Sequence, residues 1–189
     1  MRSDILSHRR ELSATDLDIA ARTVLAALLA GLRLPAGSTV AAYSPVATEP
    51  GGKLTRALSG AGHRVLLPVV LPDLDLDWAE YTGKQHLTAK GLSEPDGPTL
   101  GTDAVAQVDA LVVPALAVDT DGVRLGKGGG CYDRALTRVG PGVPVVALLH
   151  DGEWPRMVPR EPHDRPVTAV VTPSGGYVNL GTRTRPRSS

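Results

Sequence analysis

Apolar positions Leu17, Ala21, Val24, Leu25, Leu28 and Leu32 recur at three- and four-residue spacing, the repeat that lays one stripe along a helix. Ser13, with Asp16 three residues on, is a capping signal at its start, and Gly31 and Pro35 end the pattern. Residues 2–12 read as a short preceding helix. TVAAY (39–43) is a short buried strand, and Leu54, Ala57, Leu58 and Ala61 mark a helix that stops at Gly62, the favoured terminal residue. RVLLPVV (64–70) is a second strand, and LDWAEY (76–81) alternates as a half-exposed strand does. Residues 82–101, rich in Gly, Pro and polar types, read as a long surface excursion, which in a compact domain is functional or mobile. ALVVPALAV (110–118) is the strongest buried-strand signal, Pro114 apart. Tyr132, Ala135, Leu136 and Val139 place a helix start near Gly130, and PVVALLH (144–150) and VTAVVT (167–172) are further strands.

Strands that alternate with helices predict an α/β domain of three layers around a largely parallel sheet. Such sheets bind ligands beyond the carboxyl ends of their strands, where the loop 119–130 leaves the strongest strand. We expect one domain over 1–181 and a basic, proline-interrupted, disordered tail over 182–189.

Composition narrows the classes. The 189 residues are 42% hydrophobic, with 20 basic and 20 acidic residues in balance, so the whole-chain charge argues for neither a nucleic-acid nor an anionic-membrane partner. Phe is absent, and the aromatic set is two Trp and four Tyr, so Leu, Val and Ala must build the core. One cysteine, Cys131, excludes an internal disulfide and suits a reducing cytoplasm. The charged N-terminus does not read as a signal peptide, and the apolar patches 24–32 and 110–118 are too short for a membrane span. A cytoplasmic protein is the expectation.

RLGKGGGCYDR (124–134) concentrates the unusual chemistry. Glycine lets backbone approach a ligand and take positive φ, and consecutive amides in such a turn can bind an anion. The following helix start adds its own N–H groups, and Arg124, Lys127 and Arg134 add charge. These features describe a polyphosphate cradle, against the plainer alternative of a flexible surface turn. A P-loop is excluded because Gly128, not Ser or Thr, follows Lys127; the dinucleotide fingerprint would need glycine at Cys131. Asp133 suits either a magnesium ion between carboxylate and phosphate or a plain acid in the first helical turn. Glu49, after the first strand, reads by itself as a solvated acid. EPHD (161–164) and LLHD (148–151) do not fit a known zinc spacing and read as polar loops. Cys131 lacks a partner base in the sequence and reads as a packed thiol rather than a nucleophile.

RLGKGGGCYDRAL resembles the signature of the 5-formyltetrahydrofolate cyclo-ligases. VAAYSPVATEP, RVLLPVV, LVVPALAVD and EPHDRPVTAVVT extend that resemblance in order along the chain. It implies a fold of the sugar-isomerase and CoA-transferase type. It also implies ATP- and Mg²⁺-dependent closure of 5-formyltetrahydrofolate to 5,10-methenyltetrahydrofolate, through phosphorylation of the formyl oxygen. By this resemblance Arg124, Leu125, Gly126, Lys127, Gly128, Gly129, Gly130, Cys131 and Tyr132 form the ATP loop, joined by Arg2 and Arg134. Lys127, Gly128, Gly129, Gly130 and Cys131 also face the folate. Ser44 and Glu49 belong to the folate pocket, Asp133 and Asp164 to magnesium, and Lys127, Arg124 and Tyr132 to catalysis. The implied partner is a reduced folate, with or without a polyglutamate tail, and the implied state is a monomer.

Three positions depart from the family pattern. The N-terminal helix of the family carries a lysine four residues before the arginine that Arg2 matches, a position that would fall before Met1. Cys131 replaces the first tyrosine of the signature, and Thr168 stands where the family often has aspartate. The missing lysine and Cys131 motivate one alternative, a non-catalytic folate-binding paralogue. A sugar-phosphate isomerase of the same architecture is a weaker one, since glycine loops bind sugar phosphates too but Glu49 and Asp133 are then unexplained.

Overall fold

A computed structural model describes residues 1–89, 91–160 and 164–181. The expected tail over 182–189, and the first three residues of EPHD, lie outside the described residues.

Helices α1 (Arg2–Glu11) and α2 (Ala14–Leu32) open the chain. Ser13 caps α2 by accepting the Asp16 N–H at 3.1 Å. Strand β1 (Thr39–Ala41), helix α3 (Leu54–Gly60), and strands β2 (Arg64–Val70) and β3 (Leu76–Glu80) follow. The excursion after β3 is not structureless. It folds into a hairpin of β4 (Gln85–Leu87) and β5 (Ser93–Pro95), then a 3₁₀ turn over Thr102–Gln107. Next come β6 (Ala110–Pro114), the two-stranded pair β7 (Ala117–Val118) and β8 (Arg124–Leu125), and helix α4 (Cys131–Leu136). Strands β9 (Val145–Leu148), β10 (Ala169–Thr172) and β11 (Gly176–Asn179) complete the chain.

Seven strands form one sheet in the order β11-β10-β9-β6-β1-β2-β3. Neighbours from β10 to β2 are parallel, and β3 and β11 add antiparallel edges. The alternation of side chains along each strand divides the core in two. Val40, Val65, Val112, Val146 and Val171 pack with Val24 and Leu28 of α2 and Leu54 and Leu58 of α3. Ala41, Leu66, Val113, Ala147 and Val170 face the other way, toward Val105 of the 3₁₀ turn and Ala135 and Leu136 of α4. Three layers result. Both faces of the central strands are covered, which explains why those strands read as continuous apolar runs rather than alternating ones. No helix among the described residues is long and apolar enough to cross a membrane.

Three elements differ from expectation. β3 is an edge strand, yet Leu76, Trp78 and Ala79 are buried, because the 3₁₀ turn and α4 cover it. α4 spans Cys131–Leu136 and does not carry its apolar repeat as far as Val139; Arg138 N–H bonds to Ala135, a tighter turn, ahead of Gly140 and Pro141. β11 escapes the apolar pattern because GYVN is partly exposed. Its partner α2 approaches so closely that a Cβ on Gly31 would lie 2.1 Å from the Tyr177 ring.

Candidate active site

Chain direction reverses its march across the sheet between β1 and β6. β2 is added on one side of β1, and β6, β9 and β10 on the other. Loops leaving the carboxyl ends of β1 and β6 therefore diverge and leave a crevice between them, the position at which open α/β sheets bind ligands. A cavity of about 910 Å³ occupies this place. Tyr43, Ser44, Val46 and Glu49 line it from the β1 side, and Pro114, Ala115 and the segment 124–133 from the β6 side. Met1, Arg2 and Arg9 of the N-terminal region, Leu92, Ser93 and Glu94 of the hairpin, and Asp164 close the remaining walls.

The glycine loop presents bare backbone. No backbone N–H of residues 127–130 finds an acceptor among the described residues, and Lys127, Gly128 and Gly129 are exposed, so these donors are open to solvent or to an anion. Gly128 at φ +105° and Gly130 at φ +67° hold backbone conformations that L side chains rarely adopt. Gly126 has a different reason: a Cβ there would come 2.9 Å from Nη1 of Arg124, which folds beneath the loop. The carbonyl of Gly126 accepts from Nε of Arg2 at 3.0 Å, so α1 meets the loop directly.

The charges in the loop are paired. Nη2 of Arg124 donates to Oδ1 of Asp133 at 2.7 Å, with the arginine side chain 4% exposed, and its Nη1 donates to the Pro114 carbonyl at 3.3 Å. The Arg124 guanidinium also lies 5.8 Å from the Tyr132 ring centre. Its Nε is buried without a partner among the described residues. Nζ of Lys127 meets Oε1 of Glu49 at 2.6 Å, the lysine 55% and the glutamate 10% exposed. Oε2 of Glu49 accepts the Val46 N–H at 3.0 Å, which orients the carboxylate toward the loop. Burial pushes the Tyr132 phenol far above its ordinary range, and the negative charge of Glu49 adds to the effect. Tyr43 is raised in the same way by burial and then Glu49, and its hydroxyl donates to the Pro50 carbonyl at 2.5 Å. Both phenols stay neutral donors at working pH.

The structure thus brings Arg2, Ser44, Glu49, Asp133, Asp164 and the whole run from Arg124 to Tyr132 into one cavity. Arg134 stands apart: it is outside the lining, and its Nη1 donates to the Leu74 carbonyl at 3.2 Å. Cys131 lies 3.8 Å from the Gly129 carbonyl through its sulfur and is partly buried. Sequence reasoning did not single out Arg9 or the hairpin residues. Leu92, Ser93 and Glu94 sit in a polar, glycine-bearing stretch with no periodicity, so nothing local marks them. Glu94 accepts the Val70 N–H at 3.1 Å, and Gln85 donates to the Ser44 hydroxyl at 2.9 Å, which fixes the hairpin over the crevice.

These residues fit an anionic nucleotide: amides without an acceptor among the described residues and open space beside Gly128 and Gly130 favour phosphate oxygens. Among the described residues no group of three or more His, Cys, Asp or Glu is arranged to hold a metal ion. Of the four lining carboxylates, Asp133 and Asp164 suit a magnesium ion that takes its other ligands from phosphate and water.

Residues 1–173 match the 5-formyltetrahydrofolate cyclo-ligase family. A 5-formyltetrahydrofolate cyclo-ligase from Mycolicibacterium smegmatis is 40% identical over 187 residues, 95% of each chain. One from Escherichia coli is 35% identical over 136 residues, 67% of this chain and 71% of the relative. The solved 5,10-methenyltetrahydrofolate synthetase of Aquifex aeolicus superposes with a TM-score of 0.77 at 26% identity, over 100% of this chain and 94% of the other. With fold, loop and crevice in agreement, the chain belongs to the 5-formyltetrahydrofolate cyclo-ligase family, a family of ligases.

Proposed function

We propose that the protein converts 5-formyltetrahydrofolate to 5,10-methenyltetrahydrofolate while ATP becomes ADP and phosphate. The observation that carries this reading is the facing pair in one crevice: an amide run with no acceptor among the described residues, and a lysine held against a part-buried carboxylate. ATP, the second substrate, supplies the phosphoryl group that turns the formyl oxygen into a leaving group, and magnesium on its phosphate oxygens would offset charge beside Asp133 and Asp164.

The chain's own contribution is placement and charge. The amides of 127–130 and Lys127 stabilise negative charge on the transferring group, the largest service a protein can offer phosphoryl transfer. Arg124, pinned by Asp133, holds Tyr132 and the underside of the loop in place. Glu49 accepts hydrogen bonds from the pterin N–H groups, with Ser44 beside it. Once the formyl oxygen carries phosphate, the neighbouring folate nitrogen attacks the formyl carbon and gives up its proton, the C–O bond breaks, and phosphate leaves with both bonding electrons and takes up that proton. The walls formed by the hairpin and α1 exclude water that would otherwise intercept the activated group. Residues 1–181 act as one such domain, monomeric, in the cytoplasm.

The test follows methenyltetrahydrofolate absorbance with purified protein, 5-formyltetrahydrofolate and Mg-ATP. We expect product formed in step with ADP. Folate uptake measured by calorimetry without ATP consumption would instead identify a binding protein and overturn the enzymatic reading.

A further inference from the structure

LLHD, read from the sequence as polar loop residues, has another place in the structure. Glu153, 3% exposed in the turn after β9, uses its whole carboxylate. Its oxygens take Nε and Nη2 of Arg9 at 2.7 and 2.8 Å, and Oε2 also accepts the His150 backbone N–H at 2.8 Å. Arg9, itself 1% exposed, donates further to the Ala115 carbonyl at 2.7 Å. The buried ring of His150 places Nε2 2.9 Å from the Thr48 carbonyl. A carbonyl can only accept, so that nitrogen carries a proton.

The bonds therefore run from α1 through Glu153 to the loop after β1. At one end, Arg9 shares its helix with Arg2, which touches the glycine loop. At the other, Thr48 precedes Glu49, which meets the same loop through Lys127. A buried ion pair gives little net stability over an apolar replacement, because desolvation offsets attraction. What a fully bonded pair does provide is a defined geometry.

We propose that Glu153, acting through Arg9 and His150, is a positioning residue that sets α1 and the Glu49 loop on opposite sides of the glycine loop. Within this division, His150 governs the Glu49 side and Arg9 the Arg2 side. The kinetic part rests on the cyclo-ligase reading; the structural part does not.

Three variants test it, each assayed at a temperature where thermal melts show it folded, with amide exchange of residues 46–49 measured in parallel. His150→Leu removes the Thr48 bond. It should raise KM for 5-formyltetrahydrofolate about tenfold or more, as small displacements of binding groups do, with KM for Mg-ATP unchanged and faster exchange at Val46. His150→Gln can still donate to Thr48 and should restore both. Glu153→Gln should raise KM for both substrates; if it does not fold, the double variant Arg9→Met, Glu153→Leu, which removes both charges, takes its place. Unchanged folate KM and unchanged exchange in His150→Leu would overturn the proposal, as would equal defects in Leu and Gln. Absence of turnover in the wild-type protein would remove the cyclo-ligase reading, and the exchange measurements would still decide the positioning role.

Discussion

At the scale of single residues, the role proposed for Lys127 makes its charge bear on rate and little on stability. Its ammonium is more than half exposed, and its bond to Glu49 bridges two loops at the cavity. With the lysine end in water, the pair adds about 1 kcal/mol to folding, even though Glu49 is 10% exposed. On a developing phosphoryl charge the same ammonium is worth more, because the amides around it are already oriented. Lys127→Ala should therefore lower turnover by about two orders of magnitude, read by the absorbance assay, while its melting temperature stays near that of wild type. Arg124 illustrates the reverse. The spacing marks it as a cation of the loop, yet its side chain is buried on Asp133 and Pro114. Proximity in sequence shows that Arg124 and Asp133 are near each other; it does not show that they bind each other.

At the scale of elements, the contact between α2 and β11 tests how tightly the layers fit. A methyl group on Gly31 would meet the Tyr177 ring and also its Cβ at 2.6 Å, close to the backbone of β11, so a simple rotation of the ring cannot relieve it. Alanine favours helix over glycine by about 1 kcal/mol, but overpacking costs about 1–3 kcal/mol. We expect Gly31→Ala to be net destabilising in urea unfolding, and a stabilised variant would show that the two elements can separate without cost. The helical stripe of α2 and the apolar runs of β2, β6, β9 and β10 were legible because each buries a continuous face. β4, β5 and β11 were not. Each buries little apolar surface of its own, and each takes its strand conformation from hydrogen bonds to a partner.

At the scale of the whole molecule, acid stability should depend on a link between the turn after α4 and the β2–β3 turn. Arg138 meets both oxygens of Asp75, at 2.9 and 2.5 Å, and its Nε lies 3.3 Å from Asp103. Hydrogen bonds from Arg138 hold the Asp75 carboxyl below its ordinary value of 3.8. A carboxyl lowered in the folded state contributes stability that is fully present above that ordinary value and is lost as pH falls through the lowered one. Asp75→Asn should therefore lower the melting temperature at neutral pH, and the deficit should shrink as pH drops below about 4. A deficit independent of pH would mean that packing, not charge, is what the substitution removes.

The local pattern alone determined the class of fold, the main helices, the central strands and the loop that offers bare amides. Those features follow from periodicity and backbone freedom within about ten residues. The tertiary structure alone decided which charges face each other. Glu49 reaches Lys127, and His150 reaches Thr48, because the order β9-β6-β1 brings the ends of those strands side by side. No periodicity encodes that order. It comes from how both faces of the sheet are covered at once, so the partners in the crevice become visible when the layers close.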